Sequence, residues 1–368
     1  MHAPSSPLAR LLAALVAVVL VAAACGSSDD TASGSSPSES APTATTAPAD
    51  PTPAPEPGRD DGEEPAEAVD PTPEPAVDET PVFPRTITDA LGEVEIPDAP
   101  MRVVALDQSL LDVAFVLGLE VIGYTTFSDP DGPLPEIYAD VAGELAPDAI
   151  WMGDLFAPNL ELIAQAEPDI ILTAAVRHEA IADQLSQIAP TVMSESAGAG
   201  FKDSLRLAAE ATGREQVAEA ALAAYEERAA SIGDAIRAER GDPTISVVRF
   251  VDVIRLYQPI SFSGVVLSDV GLSRPASQQN TDDFITVISP EEIQQADADV
   301  LVYATFDNEE VEAVVTEFIA GPLWGALGAV QAGEVHAVAD QRWMSGVGLF
   351  GAQAILDDLE TIFGLDLS

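Results

Sequence analysis

The sequence predicts an α/β protein: two Rossmann-like lobes with parallel-type sheets, joined by one long α-helix, with a ligand cleft between them. Three observations carry that prediction. From residue 84 onward, short apolar runs alternate with amphipathic segments. One helix-turn-strand unit recurs without gaps at an offset of 130 residues. Gly213–Arg240 contains no proline and keeps an apolar stripe at helical spacing. A length of 368 residues suits about two domains.

The elements follow in chain order. Arg10 precedes an uncharged apolar run, Leu11–Ala24, which ends in Ala22-Ala23-Ala24-Cys25-Gly26. A run of 14 residues suits a signal-peptide core and is short for a membrane span. The small residues before Cys25 resemble a bacterial lipobox, with Cys25 as the lipidation site. Residues 26–83 hold 12 of the chain's 29 prolines among Ser, Thr, Ala, Asp and Glu. Such a segment buries too little apolar surface to fold, and proline with like-charge repulsion extends it into a tether. Beyond it, Arg102–Leu106, Ile170–Ala174, Ile245–Phe250 and Val300–Ala304 read as buried strands. Ser109–Leu117 and Asn159–Ala166 read as amphipathic helices.

The repeat aligns Glu161–Leu172 with Glu291–Val302, and Glu161/Glu291, Ile163/Ile293, Gln165/Gln295, Ala166/Ala296 and Asp169/Asp299 are identical. It predicts one such unit per lobe, with lobes at 84–212 and 242–368. The connecting helix, 213–241, buries Leu222, Tyr225, Ala229, Ile232 and Ile236 and is stopped by Gly241-Asp242-Pro243. At 1.5 Å per residue it spans roughly 40 Å, leaving a cleft between the lobes as the default ligand site.

Composition narrows the function. Formal charge is −47, from 62 acidic and 15 basic residues, and this repels nucleic acid and anionic lipid. One cysteine and three histidines leave no Cys-rich zinc site and no obvious catalytic triad. Gly346-Val-Gly-Leu-Phe-Gly351 matches a dinucleotide fingerprint but follows a loop and lies too close to the end of the chain. It reads as the start of the last helix, whose N–H groups are available to an anionic ligand. No enzyme is predicted. The acid excess is consistent with a saline setting, which predicts stability rising with salt.

Ligands of open α/β lobes sit beyond the C-terminal ends of the strands. Arg177 and His178 follow Ile170–Ala174. Arg249 ends Ile245–Phe250, with Arg255 and Tyr257 just beyond. Arg274 lies in a Gly-Leu-Ser-Arg-Pro turn, and Trp343 follows Arg342. Guanidinium forks suit chelating oxygens, and aromatic rings suit a flat chelate, so Arg177, Arg249, Arg255, Tyr257, Arg274 and Trp343 are the candidate ligand contacts. Asp107 reads as a helix cap and not as a contact.

The order of several short motifs resembles one family. They are Arg102-Val-Val-Ala-Leu-Asp-Gln-Ser-Leu-Leu-Asp112, Pro158-Asn-Leu-Glu161, Pro168-Asp-Ile-Ile171, Ile188-Ala-Pro-Thr191, Asp269-Val-Gly-Leu-Ser-Arg-Pro275, Ile288-Ser-Pro-Glu-Glu292 and Pro322-Leu-Trp324. Residues 84–368 resemble the substrate-binding lipoproteins of ABC importers for ferric siderophores, haem and cobalamin. The resemblance implies a monomer that captures a ferric siderophore and delivers it to an importer permease dimer, with no direct metal ligand and no cofactor. It implies a cell-envelope location, held to the outer face of the cytoplasmic membrane by lipid alone. It also implies one permease-docking glutamate per lobe, at Glu161 and Glu291. Haem or cobalamin as cargo, or an envelope sensor or scaffold on the same fold, remain open alternatives.

Overall fold

A computed structural model describes residues 81–127, 134–306 and 308–367. The leader at 1–25 with Cys25, and the tether up to residue 80, lie outside the described residues. An antiparallel hairpin, β1 (Arg85–Asp89) and β2 (Gly92–Ile96), comes first. Its tight turn is held by Asp89 Oδ1, which accepts from the N–H groups of Leu91 and Gly92.

The N-terminal lobe is then built on β3 (Arg102–Ala105), β4 (Glu120–Tyr124), β5 (Ile150–Trp151), β8 (Ile170–Ala174) and β9 (Thr191–Ser194). These pair in the order β5-β4-β3-β8-β9, all parallel, as predicted. Between β5 and β8 a small hairpin, β6 (Gly153–Asp154) and β7 (Ala157–Pro158), stands apart from the sheet. Helices α1 (Gln108–Val116), α2 (Ala139–Leu145), α3 (Leu160–Ala166) and α4 (Phe201–Thr212) complete the lobe.

The connecting helix is α5, Glu215–Arg240, and it buries the predicted stripe. It starts two residues later than predicted. Gly213 adopts φ 69°, a left-handed conformation that ends α4. Inside α5, Gly233 is required because a Cβ there would collide with the Val270 carbonyl of the neighbouring helix.

The second lobe keeps the predicted parallel strands and adds an antiparallel one that the sequence did not announce. Its strands are β10 (Ile245–Phe250), β11 (Ile254–Tyr257), β12 (Ile285–Ile288), β13 (Val300–Thr305) and β14 (Val335–Ala337), ordered β12-β11-β10-β13-β14. β10, β13 and β14 are parallel, whereas β11 runs antiparallel to both its neighbours. Only residues 251–253 join β10 to β11, and a parallel crossover needs about a dozen residues or more. Helices α6 (Phe262–Val270), α7 (Glu309–Ile319) and α8 (Leu349–Phe363) cover this sheet.

The internal repeat survives at the level of hydrogen bonds. The offset of 130 carries α3 onto the 3₁₀ helix Pro290–Ala296, end for end. Asp169 Oδ2 accepts from the N–H groups of Met101 and Arg102 at the start of β3. Its equivalent, Asp299, accepts from Thr244 N and Oγ1 just before β10. Each carboxylate thus ties the strand it precedes to the central strand beside it.

The lobes are not separate bodies. One apolar cluster runs from Ile87 through Tyr225 to Phe363 and so spans both lobes and α5. Polar clasps reinforce it. Lys202, the chain's only lysine, meets Glu226 at 3.1 Å and Asp269 at 3.0 Å, joining α4, α5 and α6. Arg228 on α5 donates to Gln353, Asp357 and Glu360 on α8. Asp112 on α1 is wholly buried and accepts from Leu349 N at 2.6 Å and Phe350 N at 3.1 Å. The N–H groups that the sequence left open to an anionic ligand are therefore occupied by the protein's own Asp112 carboxyl group. Gly348 permits this approach, since a Cβ there would strike Asp112.

Candidate ligand-binding site

In the N-terminal lobe, four side chains gather beyond the C-terminal ends of the parallel strands. Asp107 follows β3, Phe127 follows β4, Phe156 tips the β6–β7 hairpin, and Arg177 follows β8. Arg177 Nε donates to Asp107 Oδ2 at 2.9 Å. Its guanidinium lies 5.5 Å from the Phe127 ring centroid and 5.2 Å from that of Phe156. The Arg177 side chain stays 20% exposed and both rings are open to solvent. Asp107 caps α1 as expected, through Ser109 N and Oγ, but its second oxygen also fixes Arg177.

His178 is buried beneath this group. Its Nε2 lies 2.9 Å from the Leu155 carbonyl, which can only accept, so Nε2 carries the proton. Nδ1 lies 2.6 Å from Thr173 Oγ1. Desolvation pushes its pKa below the ordinary value, so the ring is neutral at neutral pH. It anchors the residue next to Phe156 and does not reach the cleft.

In the second lobe, Arg249 ends β10 and makes a bidentate pair with Asp340, at 2.6 and 2.7 Å. Its third nitrogen donates to Tyr257 Oη at 3.0 Å, and Phe306 lies over it at 5.5 Å. Tyr257 is buried and supports Arg249 from below. Arg255, the cross-strand neighbour of Arg249, is half-buried and 3.4 Å from Asp252.

Two of the candidates lie elsewhere. Trp343 is 0% exposed and packs in the shared core, its Nε1 donating to Asp358. Arg274 is 7% exposed and donates to the Tyr257 carbonyl and to Gln278, and burial pushes its pKa down to about 10. Both follow strand or turn signals, but in this structure neither side chain opens onto the cleft. Conversely, Phe127, Phe156, Phe306 and Asp340 were not singled out from the sequence. Phe306 is the residue immediately after β13, the same strand-end signal that drew attention to the arginines.

A cavity of about 880 Å³ opens between the lobes, lined by Glu136 and Ile137 on one side and by Thr305, Glu312, Asp340, Arg342 and Phe350 on the other. Asp340 belongs both to this lining and to the Arg249 cluster, whereas Arg177, Phe127 and Phe156 lie outside the lining; the cavity and the strand-end residues of both lobes together form the candidate groove. Among the described residues, no group of three His, Cys, Asp or Glu side chains is placed to hold a metal ion, and no helix is long and apolar enough to cross a membrane.

Glu161 and Glu291 are both exposed, each in the first turn of its repeat helix. Neither is needed as a cap. Asn159 Oδ1 accepts from Glu161 N and Leu162 N in the first copy, and Ser289 with Glu292 forms a capping box in the second. The carboxylates of Glu161 and Glu291 therefore point outward from equivalent places.

Two α/β lobes fastened by one long helix, with a cavity between them and arginines under aromatic rings at the strand ends, define a solute-binding protein. The model of the periplasmic binding protein family matches residues 103–341, and the chain belongs to that family. It is 33% identical over 290 residues to a probable siderophore-binding lipoprotein, YfiY, of Bacillus subtilis, covering 76% of this chain and 87% of that protein. It is 28% identical to the Fe(3+) dicitrate-binding periplasmic protein FecB of Escherichia coli, covering 76% of this chain and 91% of that protein. Staphylococcus aureus SirA complexed with staphyloferrin B superposes with a TM-score of 0.70 at 29% identity, covering 77% of this chain and 99% of that structure.

Proposed function

We propose that this protein captures a ferric siderophore outside the cytoplasmic membrane and delivers it to an ABC importer permease. The observation that carries the proposal is Arg177, which spends one N–H on Asp107 and leaves its terminal nitrogens between two exposed phenylalanine rings. Guanidinium donors match the oxygens of a wrapped ferric chelate, and the rings of Phe127, Phe156 and Phe306 pack on its apolar surface. Arg255 adds a second donor. The iron arrives already coordinated, so capture is reversible binding with no covalent step. The siderophore and dicitrate binding named for the relatives supports this cargo.

Glu161 and Glu291 dock the two lobes on arginines of a two-fold permease, which their equivalence in the repeat suits. Cys25 carries the lipid, residues 26–83 hold the binding body away from the membrane, and the protein acts as a monomer in the cell envelope.

Quenching of tryptophan fluorescence by a panel of ferric hydroxamates, catecholates and carboxylates, with haem and cobalamin beside them, tests the cargo. Saturable binding of a ferric chelate at roughly micromolar or tighter is expected. Selective binding of haem or cobalamin would replace the cargo, and silence in folded protein would favour an envelope scaffold. Exchange of both glutamates for alanine should abolish uptake while leaving chelate titrations unaltered.

A further inference from the structure

We infer that the cargo is a ferric chelate of low net charge, such as a trihydroxamate, and that the groove rejects a triply negative tris-catecholate. This rests on the reading that the groove takes a ferric chelate at all. Charge compensation at the groove points this way. Every guanidinium placed at the groove already has a carboxylate beside it: Arg177 has Asp107 at 2.9 Å, Arg249 has Asp340 at 2.6 Å, and Arg255 has Asp252 at 3.4 Å. Arg342, on the cavity wall, has Asp357 at 3.2 Å and Asp358 at 3.0 Å. His178 supplies no charge, because its burial keeps it neutral.

Beyond these pairs the cavity wall adds only acid, at Glu136 and Glu312. The groove therefore carries no net positive charge, within a chain of formal charge −47. A polyanion entering it would lose hydration without meeting an unpaired cation. What the groove offers is directional donation from the terminal nitrogens of Arg177 and the apolar faces of Phe127, Phe156 and Phe306. Those suit an uncharged or weakly charged shell of hydroxamate and amide oxygens around the metal.

The test titrates the full chain with a neutral ferric trihydroxamate, a singly positive one and a ferric tris-catecholate, at low and molar salt. The trihydroxamates should bind about 100-fold or more tightly than the tris-catecholate, with an affinity that changes by less than about threefold across the salt range. Asp107→Asn keeps the helix cap, because asparagine caps as well as aspartate, but leaves Arg177 uncompensated. It should narrow the ratio between the two classes about tenfold, by strengthening the tris-catecholate. A tris-catecholate bound as tightly as the trihydroxamates, or an affinity that collapses with salt, would overturn the inference while leaving siderophore capture in place. Failure of folded protein to bind any chelate on the panel would overturn the capture reading itself, and this inference with it.

Discussion

Each lobe carries an arginine at the end of its sheet, a carboxylate beside it and a phenylalanine over it, yet the two arginines are held for opposite purposes. Asp107 takes Nε of Arg177 alone, and the terminal nitrogens are left between two rings. Asp340 approaches Arg249 side-on, taking Nε and Nη2 together, and Tyr257 takes Nη1. The Arg249 side chain is 13% exposed and its carboxylate is buried. The number of nitrogens engaged thus separates a guanidinium that can still donate to a ligand from one consumed in fastening the protein. On the proposed reading Arg177 serves as the contact, while Arg249 ties β10 to the segment after β14.

The largest effect is expected at Arg249. Arg249→Ala takes the bidentate guanidinium from the buried Asp340 carboxylate, which keeps Ser345 Oγ at 3.2 Å, so the loss should fall toward the low end of the about 3–5 kcal/mol that removing one member of a buried pair costs. Urea unfolding should register that loss as a lowered midpoint at an unchanged slope. A change below about 1 kcal/mol would show that Arg249 is as free as Arg177, in the range of an exposed pair.

A third acidic side chain, the Asp112 carboxyl, belongs to neither lobe alone. Burial raises the pKa of Asp112 to about 8, against 3.8 for an ordinary aspartate, even though the N–H groups of α8 pull it down. The folded protein therefore holds a proton there that the unfolded chain releases near pH 4. This contribution to stability is full at or below about pH 4, falls as pH rises, and is gone above about pH 8. Its slope reaches as much as about 1.4 kcal/mol per pH unit between those limits. Asp112→Asn, which cannot titrate, should lack the slope, so the difference between the two denaturation series isolates it. Parallel series would refute it.

How far could the sequence have shown this? The parallel strands were legible because burial on both faces makes each a continuous apolar run, and α5 was legible from its stripe. The repeat was legible because Asp169 and Asp299 perform the same local task and so were kept in the same place. β11 was hidden because residues 251–253 contain neither Gly nor Pro to announce a hairpin. Trp343 and Arg274 were misplaced for another reason. Position after a strand says which end of the sheet a residue occupies, but not whether its side chain turns outward or into the core. Asp340 and Asp112 were beyond reach because their roles exist only through partners 91 and 237 residues away.

Arg177 should show the opposite balance of effects. Arg177→Ala should weaken chelate binding by about 10–100-fold, the loss expected of hydrogen bonds from a charged donor. Its effect on folding should be smaller than that of Arg249, about 1–2 kcal/mol, since Asp107 retains its bonds from Ser109 N and Oγ at 2.8 and 2.7 Å. Arg177→Lys should not restore affinity, because an ammonium cannot hold Asp107 and a chelate oxygen together in one planar fork. Restoration by lysine would mean that charge alone matters there.

The smallest expected effect separates the two phenylalanine contacts. Phe156 is 63% exposed and helps to confine a guanidinium that is otherwise held at one atom. Phe306 lies over a guanidinium that Asp340 and Tyr257 already fix. Both substitutions to alanine should leave stability within about 0.5 kcal/mol, as surface changes do. Phe156→Ala removes ring contact and orientation of Arg177 together, and should cost about three- to fivefold in chelate affinity, as an exposed cation–π contact does. Phe306→Ala removes ring contact alone and should cost less, by isothermal titration of the two variants side by side. Equal losses would mean that the rings act only as apolar walls, and that the orientation of Arg177 comes from Asp107 unaided.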